Sequence, residues 1–186
     1  MGNVYLTVAV HRHYLLPERL KLFPLEAGIA LWNAASPLLP PAARAGLRLK
    51  WPNDLLWEGR KAAGMLLEAA AEHVFVGVGV NIVSAPPITD GGTPSACLTE
   101  AGAPDDSGLL IAKGFFAELQ ARLTGSERNA DVLTAWRERA LWDKSLRLRD
   151  RPGRPEVFPV DINADGHLKV RFAEGREEWL ISEYLA

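Results

Sequence analysis

Apolar and polar residues alternate in short segments through the first half of the chain, and this pattern predicts strands and one long helix. Residues 2–12 are rich in β-branched and aromatic side chains, which is typical of a strand. Residues 25–36 carry large apolar side chains at helical spacing, so we expect an amphipathic helix that ends at Pro37. This part of the chain therefore predicts a strand followed by a helix.

A run of strands is predicted next. Residues 47–51 alternate leucine with basic residues, and a Pro-Asn-Asp sequence breaks the pattern. Residues 55–57 and 62–68 predict the two arms of a hairpin, and residues 73–82 predict a strand with alternating glycines. The alanine-rich second arm also has good helix propensity. We favour a strand there, because a tight turn precedes it and another strand follows.

Two helices are predicted in the second half, after an irregular loop rich in proline and glycine at residues 84–94. They cover residues 108–123 and 131–140. The apolar stripe predicted for the first of these helices comprises Leu109, Leu110, Phe115, Phe116, Leu119 and Leu123.

The pattern changes again near residue 143, where strand-like segments separated by turn residues begin. The predicted strands are residues 146–148, 156–162, 167–172 and 177–181, with hairpin turns at 163–166 and 173–175. We predict an α+β fold in two parts. Residues 1–142 would form a mixed β-sheet with helices packed on one side. Residues 143–186 would form a small β-barrel of ~40 residues, too small to be very stable alone.

Composition narrows the function classes. The chain has 186 residues, is 48% hydrophobic and carries a net charge of −2, which gives no overall electrostatic reason to expect a nucleic-acid partner. The single cysteine, Cys97, excludes an intramolecular disulfide and a zinc-type cluster, and we expect it to be a buried or loop thiol. No apolar stretch is long enough to span a membrane and no signal peptide pattern is present, so we expect a cytoplasmic location.

Lys61 is the first candidate for chemistry. It follows a tight turn and precedes Ala62-Ala63-Gly64, whose small side chains allow a ligand to approach closely. A lysine over such a gap can neutralise a carboxylate and then a phosphate. The turn alone favours a solvated lysine, and the flanking sequence reverses that preference.

Two further groups could contribute. Lys50, Asn53 and Asp54 lie at a predicted strand end, where Lys50 could contact a phosphate and Asp54 could hold magnesium. For a bare Pro-Asn-Asp, a simple Asx-turn is the favoured explanation. Gly79 and Asn81 close a Gly-Val-Gly-Val-Asn strand whose glycines leave one face bare. That face would suit a flat ligand, and tight strand packing is the alternative.

The motifs Lys50-Trp51-Pro52-Asn53-Asp54, Arg60-Lys61-Ala62-Ala63-Gly64 and Gly77-Val78-Gly79-Val80-Asn81 resemble, in this order and spacing, the central catalytic domain of biotin protein ligases. Residues 145–186 are similar to that family's small SH3-like C-terminal barrel. The resemblance thus covers nearly all of the chain and implies a biotin/lipoate ligase-like fold.

The resemblance implies a reaction and a role for each matching residue. Biotin and ATP would give biotinyl-AMP, and a lysine of a biotin carboxyl carrier domain would then accept the biotinyl group. Magnesium would accompany ATP, and no tightly bound cofactor is implied. The implied biotin and adenylate contacts are Lys61 (also the catalytic residue), Gly64, Met65 and Gly79. The implied nucleotide contacts are Lys50, Asn53, Asp54 (with magnesium) and Asn81.

One departure from the family pattern lowers the ligase activity that we expect from this chain. The family carries a Ser/Thr-Asn segment and a Gly-Arg-rich loop upstream of its matching strand, and neither is in this sequence. We therefore expect weak or no ligase activity from this chain alone, and an exposed sheet edge that a homodimer or another chain could cover. No DNA-binding helix-turn-helix is present. Two alternatives stay open: a lipoate or octanoate ligase or transferase, and a non-catalytic paralogue acting as a binding or partner module.

Overall fold

Two antiparallel sheets and the helices between them form the computed structural model, which describes residues 2–86, 93–125, 129–148 and 151–181. The first sheet has the order β1-β5-β4-β3-β2. Its strands are β1 Val4–His11, β2 Leu47–Lys50, β3 Asp54–Trp57, β4 Arg60–Ala70 and β5 His73–Val80. The helices are α1 Pro17–Leu20, α2 Phe23–Ala35, α3 Pro41–Arg44, α4 Gly108–Thr124 and α5 Asn129–Arg139. Most of the loop predicted at residues 84–94 lies outside the described residues.

The first sheet is antiparallel, and the expected mixed sheet was wrong. Every pairing between its named strands is antiparallel. The physical reason is the length of the connections. From β2 to β5 each link has only two or three residues, and links of that length reverse the chain direction, whereas a parallel pair needs a long crossover. The long helical connection that follows β1 instead carries the chain to the opposite edge of the sheet.

The helices pack on one face of this sheet, as expected. Along β5, Val74, Val76, Val78 and Val80 are buried, while Phe75 and the two glycines of the strand lie on the other face. α2 contacts α4, α5, β2 and β3, so it forms the centre of the helical layer. Among the described residues, no helix covers the opposite face of β1, β5 and β4.

α2 buries a charge that a neighbouring arginine neutralises. The carboxylate of Glu26 is fully buried and accepts three hydrogen bonds from Arg19, the shortest at 2.8 Å from Nε and 2.7 Å from Nη2. Arg19 also donates to the carbonyl of Arg122 at the end of α4. This pair joins the start of the helical layer to α4, and a buried charge of this kind is tolerable only because it is paired.

The apolar stripe predicted for α4 was half wrong. Phe115 and Leu119 are buried, but Phe116 is 53% exposed, and Leu109 and Leu110 also face outward. The large apolar residues that α4 buries form one row, Ile111, Phe115 and Leu119. Residues at i, i+4 and i+8 lie on one such row, so the residue next to each in sequence turns away from it.

The second sheet has four antiparallel strands in the order β6-β7-β8-β9. They are β6 Leu146–Arg147, β7 Glu156–Ile162, β8 Leu168–Phe172 and β9 Glu177–Leu180. A small core of Val157, Leu168, Val170 and Phe172 lies under them. β6 and β9 are its two edges, so the described residues form an open sheet here and not a closed barrel. None of the helices in the described ranges combines the length and apolarity that crossing a membrane requires.

Candidate active site

The open face of the first sheet carries a cavity of about 630 Å³. Its floor is made where strand register places two glycines side by side: Gly64 of β4 is paired with Gly79 of β5. On the other side of β5, Tyr5 of β1 is paired with Gly79, and its ring lies over that glycine. The volume is in the range of ~300–1,000 Å³ that small-molecule sites occupy.

A β-bulge aims Lys61 into this cavity. Leu56 of β3 pairs with Lys61, but the preceding residue, Leu55, pairs with Ala63, so one residue of β4 is extra. The extra residue reverses the alternation, because in a regular strand positions 61 and 64 would point to opposite faces. With the bulge, the Lys61 side chain crosses directly above Gly64: a Cβ added there would lie 2.8 Å from its Cε. Glycine is therefore required at position 64 for this path.

Lys61, Asp54 and Lys50 form a charge network at the edge of the cavity. The Lys61 Nζ lies 2.6 Å from Asp54 Oδ1, and the Lys50 Nζ lies 3.9 Å from Oδ2 of the same carboxylate. Lys50 also donates to the hydroxyl of Thr93 at 3.0 Å. Both ammonium groups face the Asp54 carboxylate. An anionic ligand at this end of the glycine floor would meet the Lys61 ammonium group.

Asn53 and Asn81 hold the backbone around the network. Asn53 and Met65 exchange bonds: the Asn53 side chain donates to the Met65 carbonyl, and the Met65 N–H donates to the Asn53 carbonyl at 2.9 Å. The Asn81 side-chain amide donates to the carbonyls of Lys61 and Ala96, both at 3.2 Å. The two side chains therefore fix the positions of β3, β4 and the segment beyond β5 relative to one another.

Four of the eight predicted site residues lie differently from the others. Asn53 and Asp54 do not line the cavity. Met65 borders the cavity, but its side chain is buried beneath the sheet, where its methyl group approaches Gly28 of α2. Lys50 does not border this cavity. It borders a second one of about 540 Å³, between the β2 end of the first sheet and the C-terminal sheet. The structure brings Lys61, Gly64, Gly79 and Asn81 together at the first cavity.

A resident metal ion does not fit this site. Among the described residues, no group of three or more His, Cys, Asp or Glu side chains could hold one. Both carboxylate oxygens of Asp54 face ammonium groups, so a metal bound there would have to replace Lys61. Magnesium on Asp54 stays a prediction, and phosphate oxygens would have to supply its other ligands.

No site residue was predicted from the sequence in the segment that begins at residue 93. Lys61 forms a short parallel bridge with Ser95, in which its N–H donates to the Pro94 carbonyl at 2.6 Å and its carbonyl accepts from Ala96 at 3.0 Å. Ser95 and Pro86 also line the cavity. No alternation marks these residues, so the sequence offered little signal for them. Tyr5 could have been found, because an aromatic residue one strand away from a glycine often covers it.

Glu100 anchors that segment. Its carboxylate accepts the N–H of Cys97 at 3.0 Å and an Arg60 Nη1 bond at 2.6 Å. The backbone bond first, and then the Arg60 guanidinium, lower the pKa of Glu100 to about 2. Cys97 is a buried free thiol that donates to the same carboxylate. This agrees with the buried or loop thiol expected from the sequence.

The sequence of this chain is similar to those of known biotin ligases. The model of the biotin/lipoate A/B protein ligase family matches residues 1–81. The chain is 38% identical over 149 residues to a biotin–[acetyl-CoA-carboxylase] ligase of Mycobacterium tuberculosis, covering 77% of this chain and 54% of that protein. It is 37% identical over 126 residues to the Paracoccus denitrificans protein of the same name, covering 61% and 51%. The chain thus spans about half the length of these curated relatives.

Solved structures share the fold over nearly the whole chain. The biotin protein ligase from Leishmania major in complex with biotin superposes with a TM-score of 0.73 at 27% identity, covering 98% of this chain and 79% of that one. The ligase from Aquifex aeolicus in complex with biotin and ATP gives a TM-score of 0.71 at 19% identity, covering 98% and 77%. At the lower identity only the fold is comparable.

Proposed function

Because this chain belongs to the biotin protein ligase family, we propose that it activates biotin with ATP and transfers the biotinyl group to a lysine of a carboxylase carrier domain. The observation that carries the proposal is the path of the Lys61 side chain, which crosses Gly64 on the floor of the cavity and pairs with Asp54. A bound carboxylate at that end would meet an ammonium group already held in place by Asp54.

The chemistry needs little more than position and charge. An oxygen of the biotin carboxylate attacks the α-phosphorus of ATP, and the bond to the bridging oxygen breaks, so that pyrophosphate leaves. The amine of the carrier lysine then attacks the carbonyl of the mixed anhydride, AMP leaves and one proton is released. Negative charge on the α-phosphate rises in the first step, and Lys61 is the group placed to stabilise it.

We propose the following roles for the remaining residues. Gly64 and Gly79 would form the floor under biotin, and Met65 would contribute its backbone while its side chain supports the floor from below. On the nucleotide side, Asn53 and Asn81 would act by holding the backbone. Lys50 would share Asp54 with Lys61 and contact phosphate.

The boundary between the two parts of the chain is also a proposal, and so is its pairing with a second chain. We propose that residues 1–142 form the catalytic unit and that residues 143–186 correspond to the SH3-like barrel of the family. Separate hydrophobic clusters under the two sheets support this division. Pairing with a second chain, as a homodimer or otherwise, would use the edge strand β1. A cytoplasmic location stays a prediction from the sequence.

The lipoate or octanoate alternative has less support. The matching family model includes lipoate ligases, but both curated relatives are named biotin ligases. A non-catalytic role is not favoured either, since the charged network around Lys61 is intact.

The test is formation of biotinyl-AMP by the purified chain with biotin and magnesium-ATP, followed by labelling of a carrier domain. We expect Lys61→Ala to lower the rate of adenylate formation by ~10²–10³-fold, the usual loss when one positioned charge is removed. Lys113→Ala, on the exposed face of α4, is the matched control and should behave like the unmodified chain. Adenylate formation that is equal in all three proteins would refute the role of Lys61. Octanoyl-AMP formed in preference to biotinyl-AMP would support the alternative.

A further inference from the structure

We propose that Trp51 is a positioning residue through which the C-terminal sheet holds the charge network of Lys50, Asp54 and Lys61 in place. The proposal rests on the function proposed above, and it adds a role for a residue that does not line the glycine-floored cavity. The observation is one hydrogen bond between the two parts of the chain: the Trp51 indole N–H donates to the Gly166 carbonyl at 2.9 Å.

The Gly166 carbonyl accepts this bond, and hydrogen bonds within the β7–β8 turn hold it in place. Gly166 ends the β7–β8 turn, where its N–H donates to the Asn163 carbonyl at 3.0 Å. The Asn163 side chain also accepts from the N–H groups of Asp165 and His167, at 3.0 and 2.9 Å. The turn therefore has a rigid internal geometry of its own.

The same turn is seated on the first part of the chain. The Asp165 carboxylate lies 2.7 Å from the Lys21 Nζ. Gly166 has φ +77°, and a Cβ added there would lie 2.8 Å from the Lys21 carbonyl oxygen. Only glycine permits both the left-handed backbone and this approach. Arg137 of α5 adds bonds to the Asp161 carboxylate and the Ile162 carbonyl at the end of β7. The Gly166 carbonyl is thus a fixed point against which Trp51 is held.

Trp51 transmits that position to the network because it stands inside the turn between β2 and β3. Its neighbour Lys50 contacts Asp54, and Asp54 pairs with Lys61. Asn53, two residues on, is joined to Met65 by bonds in both directions. A rotation of residues 51–53 would therefore move the Asp54 carboxylate, and Lys61 with it.

The packing of Trp51 agrees with this role. Its ring contacts both the large core of the first part and the small core under the C-terminal sheet, as does that of Trp142. Apolar packing alone would tolerate a small slide of the ring, whereas the indole hydrogen bond fixes one orientation. The bond and the packing together specify where the turn lies.

The test separates the hydrogen bond from packing and from the strain of a substituted glycine. Trp51→Phe keeps an aromatic ring and removes the donor. Gly166→Ala moves the acceptor from a position that lines neither of the two cavities. Gly175→Ala is the matched control. It also has positive φ, +86°, in the other hairpin turn of the same sheet, but no described atom lies within 4 Å of its added Cβ. All three would first be checked for folding by circular dichroism.

We expect Trp51→Phe and Gly166→Ala each to lower kcat for biotinyl-AMP formation by about 10- to 100-fold, the range that small misplacements of a catalytic group produce. KM for biotin should change less than twofold, since the glycine floor does not move, and Gly175→Ala should keep the original kcat. The double variant of Trp51 and Gly166 should be no worse than the poorer single variant, because both changes break one bond. Equal kcat in all variants, or a loss shared by Gly175→Ala, would overturn the proposal.

A second measurement needs no enzymatic activity. In a ¹H–¹⁵N NMR spectrum, the Trp51 indole signal is the one lost in Trp51→Phe, and the Asn53 side-chain amide reports on the turn. We expect Gly166→Ala to shift both signals and Gly175→Ala to shift neither. Unmoved signals would refute the coupling, whatever the activity. If the signals shift but the unmodified chain makes no biotinyl-AMP, then the proposed function fails and the coupling between the two parts stands.

Discussion

Gly64→Ala adds a single methyl group at the point where Lys61 crosses the floor of the cavity. The added Cβ would lie 2.8 Å from Lys61 Cε, 2.9 Å from its Nζ and 3.3 Å from Asp54 Oδ1. The backbone at this position does not require glycine, because its φ is not in the left-handed region. The substitution therefore leaves the strand intact and displaces one side chain.

The size of the effect follows from these distances. Carbon atoms rest at ~3.5–4.0 Å, so Lys61 has to move by about 0.7–1.2 Å, which disturbs its 2.6 Å contact with Asp54. A shift of that size in a catalytic group costs on the order of 100-fold in rate, or about 2.7 kcal/mol. The ion pair itself is 41% exposed at Lys61, so its loss should change the free energy of unfolding by less than ~1 kcal/mol.

The assay compares biotinyl-AMP formation with urea unfolding in the same proteins. Gly2→Ala is the control glycine, because no described atom lies within 4 Å of its added Cβ. A double-mutant cycle with Lys61→Ala decides the mechanism: Gly64→Ala should have almost no further effect once the lysine side chain is gone. If Gly64→Ala lowers the rate equally with and without Lys61, then the methyl group acts by blocking the ligand, and the reasoning about the lysine is refuted.

Three further predictions concern stability. Glu26→Gln should destabilise the chain by about 3–5 kcal/mol in urea unfolding, because it leaves Arg19 without its buried partner, and a change below ~1 kcal/mol would show that the pair is dispensable. The pKa of Glu100 is lowered to about 2 from 4.5, so its contribution to stability is present above about pH 4.5 and is lost as the pH falls towards 2. The stability difference between the unmodified chain and Glu100→Gln should therefore shrink over that range, and a constant difference would contradict it. Phe115→Ala should cost about 3–5 kcal/mol, whereas Phe116→Ala, on the exposed side of α4, should cost less than ~1 kcal/mol; equal losses would argue against the packing of α4.

The strands and helices could be predicted from the sequence because the residue patterns that mark them are local. Strand alternation, turn residues and helix-ending prolines placed β1 to β5, α2, α4 and α5 close to their observed bounds. The choice of a strand for β4 over a helix was correct for the same reason, since the two-residue turn before it commits the chain to a hairpin. Strand alternation does not indicate whether two paired strands run parallel or antiparallel, and the predicted mixed sheet was wrong.

The site was only partly accessible, because its geometry depends on a single irregularity. Lys61 and Gly64 were named as candidates, but alternation predicts opposite faces for them, and only the bulge brings them together. In the same way, nothing local marks the Ser95 segment that pairs beside Lys61 or the Gly166 carbonyl that receives the Trp51 indole. These contacts join residues far apart in the chain, and their partners are fixed by tertiary packing.

The most direct test of the central claim is calorimetric titration of the purified chain with biotin, alone and in the presence of magnesium-ATP, beside Lys61→Ala and Lys113→Ala. We expect that biotin binds, that nucleotide tightens its binding, and that Lys61→Ala abolishes the tightening while Lys113→Ala preserves it. A folded chain that gives no binding heat with biotin in either condition would contradict the claim that the cavity above Gly64 and Gly79 is a biotin site.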